Sequence, residues 1–438
     1  MSTAVRKELI PHKRHKAIET ANFFHLYGDV AWFGVLFGST LSFLPVFAAR
    51  LGAAGWQIGL LTAGPALVSI VFTLPAGRWL QGRALGRAVT QAAVFHRLGY
   101  LLLIPLPLLL PDSLQVWTVL SLAFLMAVPG TALMVGFNGL LAAAVPVDKR
   151  GHVVGWRNAL LAGATILSFL LSGWLLDRLA FEVGYLAVFA LGALGAAMST
   201  YHLYRIRIDS PPEFRGRPLK DHAQPGRPVG FSGGQPSRLA IGLRLLLAWR
   251  FRSVQASARV SSRYRWAMLA FFLFHFSQLL PAALFPIFWV RELRLTDGMI
   301  GWINALFYLS MLIASPLLAS LTKRWGNYRV TAVGALLLSF YPLLTALSTD
   351  LKLIIAASVV GGSVWAILSG SLYNRLLDLI PEDDRPAYLA IYNLSLNVAT
   401  LFGTILGPVL ADFIGIRAAL LLIFALRMIS GLALARWG

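Results

Sequence analysis

PVDKRGHVVGWRNALLAGATILSFLLSGWLLD, residues Pro146 to Asp177, is answered later in the chain by PEDDRPAYLAIYNLSLNVATLFGTILGPVLAD, residues Pro381 to Asp412. At one offset of 235, Pro146 aligns with Pro381, Asp148 with Asp383, Arg150 with Arg385, Asn158 with Asn393 and Asp177 with Asp412. Each copy is a short charged turn followed by a long apolar run. The duplication extends forward: PVFAAR (Pro45 to Arg50) aligns with PIFWVR (Pro286 to Arg291), and WQIGLL (Trp56 to Leu61) with GMIGWI (Gly298 to Ile303). Two halves of the same design therefore follow one another.

Of the 438 residues, 58% are hydrophobic and 13% charged, against about 25% charged in ordinary soluble domains. The apolar residues fall in continuous runs of about 20, the length that crosses a hydrocarbon core as helix. Alternation suited to a membrane strand is absent. The runs predict an all-α polytopic membrane protein with about twelve spans, near 22–49, 56–79, 89–110, 115–144, 153–177, 183–204, 266–290, 298–320, 329–348, 352–374, 387–412 and 417–435. The polar, basic opening MSTAVRKELIPHKRHK leads into a full-length span rather than a cleavable leader. Cys is absent, which excludes disulfides, thiolate metal sites and cysteine nucleophiles.

The net charge of +20 raises nucleic acid as a partner. Its distribution argues against that. Twelve spans put both termini on one face. Counting span ends with the nearer face, that face holds 30 of 38 Lys and Arg residues and the other 6, with Arg97 and Arg427 inside spans. Basic loops stay cytoplasmic, so both termini are expected inside, facing anionic lipid headgroups. The Arg excess over Lys, 31 against 7, leans toward a bacterial inner membrane.

The expected division is a tail over 1–20, a six-helix bundle over 21–204, a basic linker over 205–265 and a second six-helix bundle over 266–438. The linker opens with DSPPEFRGRPLKDHAQPGRPVGFSGGQPS, a composition suited to flexibility. It continues with Arg238, Arg244, Arg250, Arg252, Arg259 and Arg263 among Leu, Ile, Trp and Phe. That pattern fits an amphipathic helix on the membrane surface, or a helix packed on the ends of the two halves.

Span count, six-plus-six duplication, the long basic middle loop and the short basic loops together resemble the major facilitator superfamily of transporters. The loops after the second and eighth spans resemble that family's glycine-and-basic signature, in Arg83, Gly86 and Arg87 and in Arg324, Gly326 and Arg329. The signature's Asp is replaced by Gln81 or Gly82 and by Lys323. The fourth span has no Arg, and the fifth carries Ser168, Ser172 and Gly173 where the antiporter signature has Pro; a GTILGP run, Gly403 to Pro408, stands in the eleventh. The resemblance implies two bundles rocking about a central site, with the seventh span lining the cavity and the third and twelfth at the periphery.

Charged and amide side chains are costly in lipid and mark inward faces. Asn22, His25 and Asp29 share one face of the first span. Asp29 and His25 are candidates for proton coupling; the other reading makes Asp29 a helix-start carboxylate or the partner of a buried Arg. Candidate substrate-binding residues are His275 and Gln278 in the seventh span, Asn304 and Tyr308 in the eighth, Asn393 and Asn397 in the eleventh, Asn138 in the fourth and Trp365 in the tenth, with Tyr373 beside them. The other readings make His275 a satisfied core histidine, the amides helix-to-helix bonds and the aromatics packing. Arg97, after His96, and Arg427 are structural charges, Arg97 either snorkelling or pairing with Asp29. The repeated turns, Asp148, Lys149 and Arg150 against Glu382, Asp383, Asp384 and Arg385, are candidate gating latches or solvated turns.

Chemical motifs are missing. There is no GxxxxGK[ST] phosphate loop, no HExxH or clustered His ligands and no GxSxG. No cofactor and no metal are expected, and the chain does not read as an enzyme. The expected function is secondary transport of a small, amphipathic or weakly polar solute by a monomer. A lipid-handling membrane enzyme and a non-transporting sensor on the same fold are the alternatives.

Overall fold

The computed structural model describes residues 3–146, 148–208, 262–380 and 385–438. The expected amphipathic linker helix therefore lies outside the described residues. Helix α1 (Thr3–Leu36) runs through a π-helical turn, Phe37–Leu41, into Ser42–Arg50. There follow α2 (Gly55–Leu80), α3 (Leu85–Leu103), α4 (Asp112–Ala144), α5 (Arg150–Arg178) and α6 (Phe181–Arg205). The second series begins with α7 (Ser262–Leu279), prolonged by Leu284–Ile287 and a second π-helical turn, Phe288–Glu292. It continues with α8 (Asp297–Ala314), α9 (Leu317–Leu347), α10 (Leu351–Leu379), α11 (Arg385–Ile414) and α12 (Ile416–Trp437). Lipid offers backbone groups no partner, so helices that satisfy their own are the expected solution.

Among the described residues, eleven helices are long and apolar enough to cross a membrane. The exception is α3, which carries Arg87, Gln91, His96 and Arg97. The eighth and ninth spans divide differently from the apolar runs. Pro316 follows α8, and the chain breaks inside α9 at Gly326, with φ 77°. Residues 317–325 thus prolong the eighth span and 327–347 form the ninth. Gly82, with φ 73°, makes the corresponding turn after α2. Both signature loops use the left-handed backbone that glycine adopts without a steric penalty.

Helices α1–α6 pack among themselves, as do α7–α12, and the extensive contacts between the two groups are α2 with α11 and α5 with α8. The apolar core forks. One cluster runs through both halves, including Phe43, Phe47, Ile58 and Tyr185 on one side and Leu284, Phe288, Ile300 and Ile303 on the other. All of these lie toward the face opposite the termini, here the far face. Toward the termini face the halves have separate cores, Leu26, Val89, Leu140, Val153 and Leu203 in one and Phe271, Phe274, Leu368, Leu372 and Leu434 in the other.

Candidate functional site: a cleft beneath a cross-half clasp

The two halves close on each other through their repeats. Arg50 ends the PVFAAR segment; its Nη2 donates to the Leu295 carbonyl at 2.5 Å and lies 3.2 Å from Asp297 Oδ1, while Nε reaches the same oxygen at 3.3 Å. Arg291, in the equivalent position of PIFWVR, donates to the Ala53 carbonyl in return. Each arginine thus grips the loop that follows the other. Tyr185 donates its hydroxyl to Asp297 Oδ1 at 3.5 Å. The Arg50 and Asp297 side chains are 23% and 11% exposed. An exposed pair contributes about 0–1 kcal/mol; partial burial makes removing one partner alone more costly.

The far ends of the longer repeat complete the closure. Asp177 accepts from the Gly298 backbone N–H and from Thr296 Oγ1, both at 2.9 Å, so a carboxylate from one half caps the N-terminus of α8 in the other. Free N–H groups and the helix dipole favour an anion there. Asp412, the repeat partner of Asp177, comes up beside Gly55 at the start of α2.

Below the clasp, backbone meets backbone. A Cβ on Gly59 would lie 2.5 Å from the Thr404 carbonyl oxygen, and one on Gly301 2.6 Å from that of Phe169. Gly59 and Gly301 are equivalent in the short repeat, and Phe169 and Thr404 in the long one. Pro408 has no N–H to give Thr404, so that carbonyl is free to face the glycine Cα. Gly173 likewise abuts Gly298, and Gly55 abuts Pro408. Nearer the termini face the picture reverses: Gly151, Gly155 and Gly163 of α5 and Gly77 of α2 have nothing within 4 Å of a built Cβ. The same helices that touch at the far face border open space below it.

Tyr308 bridges the two halves below the clasp. Its ring lies 5.8 Å from Phe37 and 5.6 Å from Phe169, both in the other half. Phe307, Tyr341 and Phe285 continue the aromatic layer at 6.0 and 4.8 Å. Asn304 donates to Ile300 O at 2.9 Å and Asn138 to Met134 O at 3.0 Å, each within its own helix. Asn138 is exposed, Gln278, Trp365 and Tyr373 half-buried, and Asn397 buried. His275 is buried, and its Nε2 lies 2.8 Å from the Tyr392 hydroxyl of α11. The Asn393 side chain lies outside the described residues. So do Asp383 and the Arg385 side chain. Of their repeat partners, Asp148 is exposed, and Arg150 donates to Ala142 O at 2.7 Å and Val145 O at 3.2 Å. Lys149 bonds Glu19 at 2.5 Å, which holds its ammonium above the ordinary range. These bonds stay inside one half.

The shared face of Asn22, His25 and Asp29 is spent on α6. Asn22 exchanges two bonds with the Arg207 backbone, at 2.8 and 2.9 Å. His25 Nδ1 meets His202 Nδ1 at 3.0 Å. Asp29 accepts from Ser199 Oγ at 2.5 Å. Asp29 also pairs with Arg97 at 3.9 Å and with Arg157 at 3.4 Å. Arg157 further donates to Leu26 O at 2.6 Å and lies over the Phe137 ring. Arg97 donates to Thr200 Oγ1 at 2.9 Å. Every partner belongs to α1–α6 or the residues just after α6. Arg97 thus pairs with Asp29 rather than snorkelling, while Arg157, the stronger partner, is hidden in the sequence among the cations of a span end.

Arg427 is buried and satisfied by backbone. It donates to the carbonyls of Ser277, Gln278 and Leu338 at 3.3, 2.9 and 3.2 Å. Pro281 and Pro342 stand four residues after Ser277 and Leu338 and have no N–H for them. Ala282 bonds Leu279 instead, which frees Gln278. One guanidinium therefore fills three vacancies made where prolines interrupt α7 and α9.

Two six-helix groups with cross-related repeats, joined through a shared apolar cluster toward one face and with separate cores toward the other, define a polytopic all-α membrane protein. The sequence matches the Major Facilitator Superfamily profile over residues 30–288 and 267–438, and the chain belongs to that family, whose members are transporters. It is similar to the multidrug export protein EmrB of Haemophilus influenzae, 28% identical over 111 residues, spanning 25% of this chain and 22% of that relative. Among solved structures it resembles a bacterial homologue of the iron transporter ferroportin in its inward-facing state (TM-score 0.69, 14% identity, covering 96% and 98% of the two chains). It also resembles the nucleoside transporter NupG (TM-score 0.65, 12% identity, 95% and 99%). At these identities the likeness is one of fold.

Proposed function

We propose that the chain is a secondary active transporter of a bacterial inner membrane that passes a small amphipathic or weakly polar solute through the cleft by alternating access. The observation that carries this is the forked core: the halves share apolar packing at the far face and separate below it. The bias of basic residues toward the termini face supports placing that face, and the mouth of the cleft, in the cytoplasm. The conformation described is then inward-facing, like that of the bacterial ferroportin homologue.

In this reading the Arg50–Asp297 pair, the Arg291–Ala53 bond and the Asp177 cap are the outer gate. Tyr308 with Phe37 and Phe169 forms the inner end of the cavity, and Asn138, Gln278, Asn304 and Trp365 offer its polar and aromatic contacts. Asp29 is the keystone of the first bundle. Proton coupling enters at the neighbouring histidines: one Nδ1 must donate to the other, so a second proton on the pair puts two donors face to face. The name of the EmrB relative supports drugs or related metabolites as cargo, and the absence of nucleophile or metal-ligand motifs supports transport without catalysis.

The test is thermal stabilisation of purified protein across a chemically broad library at pH 6 and pH 8, since a ligand bound only to the folded state raises apparent stability. Hits then go into counterflow assays in proteoliposomes. One stabilising chemical class that exchanges across the bilayer is the expected result. Binding without exchange, in vesicles of verified orientation and integrity, would leave a sensor and remove the transporter. Transport by His25→Gln with unchanged dependence on pH would remove the histidine coupling alone.

A further inference from the structure

Charge deep in the spans is one-sided. Among the described spans, every Asp and Glu except Asp29 stands within two residues of a span end. Arg97, Arg157 and Arg427 stand six or more residues inside α3, α5 and α12, and all three are buried. Asp29 answers both Arg97 and Arg157, which leaves the first bundle one positive charge in excess. Arg427 bonds carbonyls, which carry no net charge, so the second bundle keeps one as well.

Both excess charges stand directly behind residues assigned to the cleft. The Arg157 guanidinium lies 5.0 Å over the ring of Phe137, the residue before Asn138. Arg427 Nη2 donates to the Gln278 carbonyl at 2.9 Å. Asn138 is exposed and Gln278 half-buried. The far-face carboxylates do not cancel this field. Asp297 is matched by Arg50 and Asp177 by the N-terminus of α8, both beyond the Tyr308 layer. Buried charges are also screened by salt much less than surface ones.

We infer that the cleft selects an amphipathic organic monoanion as its cargo and excludes cations. The inference rests on the transport reading and adds the sign of the cargo's charge. A unit charge at about 10 Å, in an effective dielectric of about 40 between protein and water, shifts the local concentration of a monovalent ion about fourfold, up for an anion and down for a cation. Two such charges outweigh the ring faces of Tyr308 and Trp365, since an exposed cation–π contact favours a cation about two- to fivefold. The guanidiniums act through their field, because Asp29, Thr200 and backbone carbonyls already hold them. Bidentate pairing of the kind that suits a phosphate ester is thereby spent. A single carboxylate or sulfonate on an apolar body is the matching chemistry.

The absence of cysteine lets the field be read directly. Full-length Asn138→Cys and Gln278→Cys, each alone and in neutral detergent, are reacted with the anionic sulfonatoethyl and the cationic trimethylammonioethyl methanethiosulfonates. Dividing each rate by that of 2-mercaptoethanol with the same reagent removes intrinsic reactivity. Gln81→Cys, exposed beside Arg83 on the termini face, reports surface charge alone. At about 0.5 M salt the Debye length falls to about 4 Å, so the anionic preference at Gln81→Cys should vanish. Both cleft sites should keep a preference of at least about tenfold. Arg157→Gln should cut it about tenfold at Asn138→Cys, and Arg427→Gln should do the same at Gln278→Cys. Should either arginine variant fail to fold, Asn304→Asp, which adds a carboxylate to the cleft wall, should lower the preference at both sites. Equal or cation-favoured rates at the cleft sites, or a preference unmoved by these substitutions, would overturn the inference. In the cargo screen, exchange of a cationic solute would overturn it and leave transport standing. An intact anionic preference with no exchange of any solute would remove transport, and the cargo with it.

Discussion

Gly59 meets the carbonyl of Thr404, and its repeat partner Gly301 meets the carbonyl of Phe169, the repeat partner of Thr404. Two separate duplications in the sequence thus interlock as one pseudo-twofold contact. A side chain at either glycine has nowhere to go, since the obstacle is backbone. Gly59→Leu and Gly301→Leu should each force the far face apart. The sequence has no Cys, so spin labels can be placed freely on exposed Glu182 and Lys352, one in each half. Their distance should lengthen in both variants and stay the same in Gly86→Ala, where a Cβ meets open space.

The clasp should show its pairing in a double-mutant cycle. Arg50→Gln and Asp297→Asn are each expected to raise the fraction of molecules with a parted far face, read from the same label pair. Together they should do little more than either alone, with a coupling energy within about 0.5–3 kcal/mol. Strict additivity would mean that the 3.2 Å pair holds nothing.

Asp29 balances two buried guanidiniums. Asp29→Asn leaves both uncompensated and should cost about 3–5 kcal/mol of stability, seen as a lower melting temperature in detergent. Adding Arg157→Met, which removes the closer cation, should recover part of that loss. Asp29→Asn with unchanged melting would show that the network carries no weight.

Arg427 serves carbonyls rather than a carboxylate among the described residues. Arg427→Met should leave three buried acceptors without donors, each worth about 1–3 kcal/mol. Arg427→Lys should recover little, because an ammonium on a single point cannot span carbonyls from two helices. Melting temperatures in the order wild type, Lys, Met are expected; a Met variant as stable as wild type would count against the assignment.

Much of the architecture is legible in the sequence, and what is not has physical causes. Spans follow from apolar runs, because the bilayer allows almost nothing else. The common face of Asn22, His25 and Asp29 follows from helical periodicity. What they face does not, since periodicity fixes direction within a helix and says nothing of the neighbour. Arg157 escapes notice because a cation one turn inside a span looks like one outside it. The repeats mark Arg50, Arg291, Asp177 and Asp412 as equivalent positions, but equivalence does not reveal contact. The charged turns at Asp148 and Asp383 stand out more strongly as latch candidates, yet their described members bond within their own half.

The forked core also sets how the molecule answers to temperature. Parting the far face would expose apolar side chains of the cluster the two halves share, whereas each lower core lies within one half. Newly wetted apolar surface carries a positive heat-capacity change. The balance between the two states should therefore curve with temperature rather than follow a straight van't Hoff line.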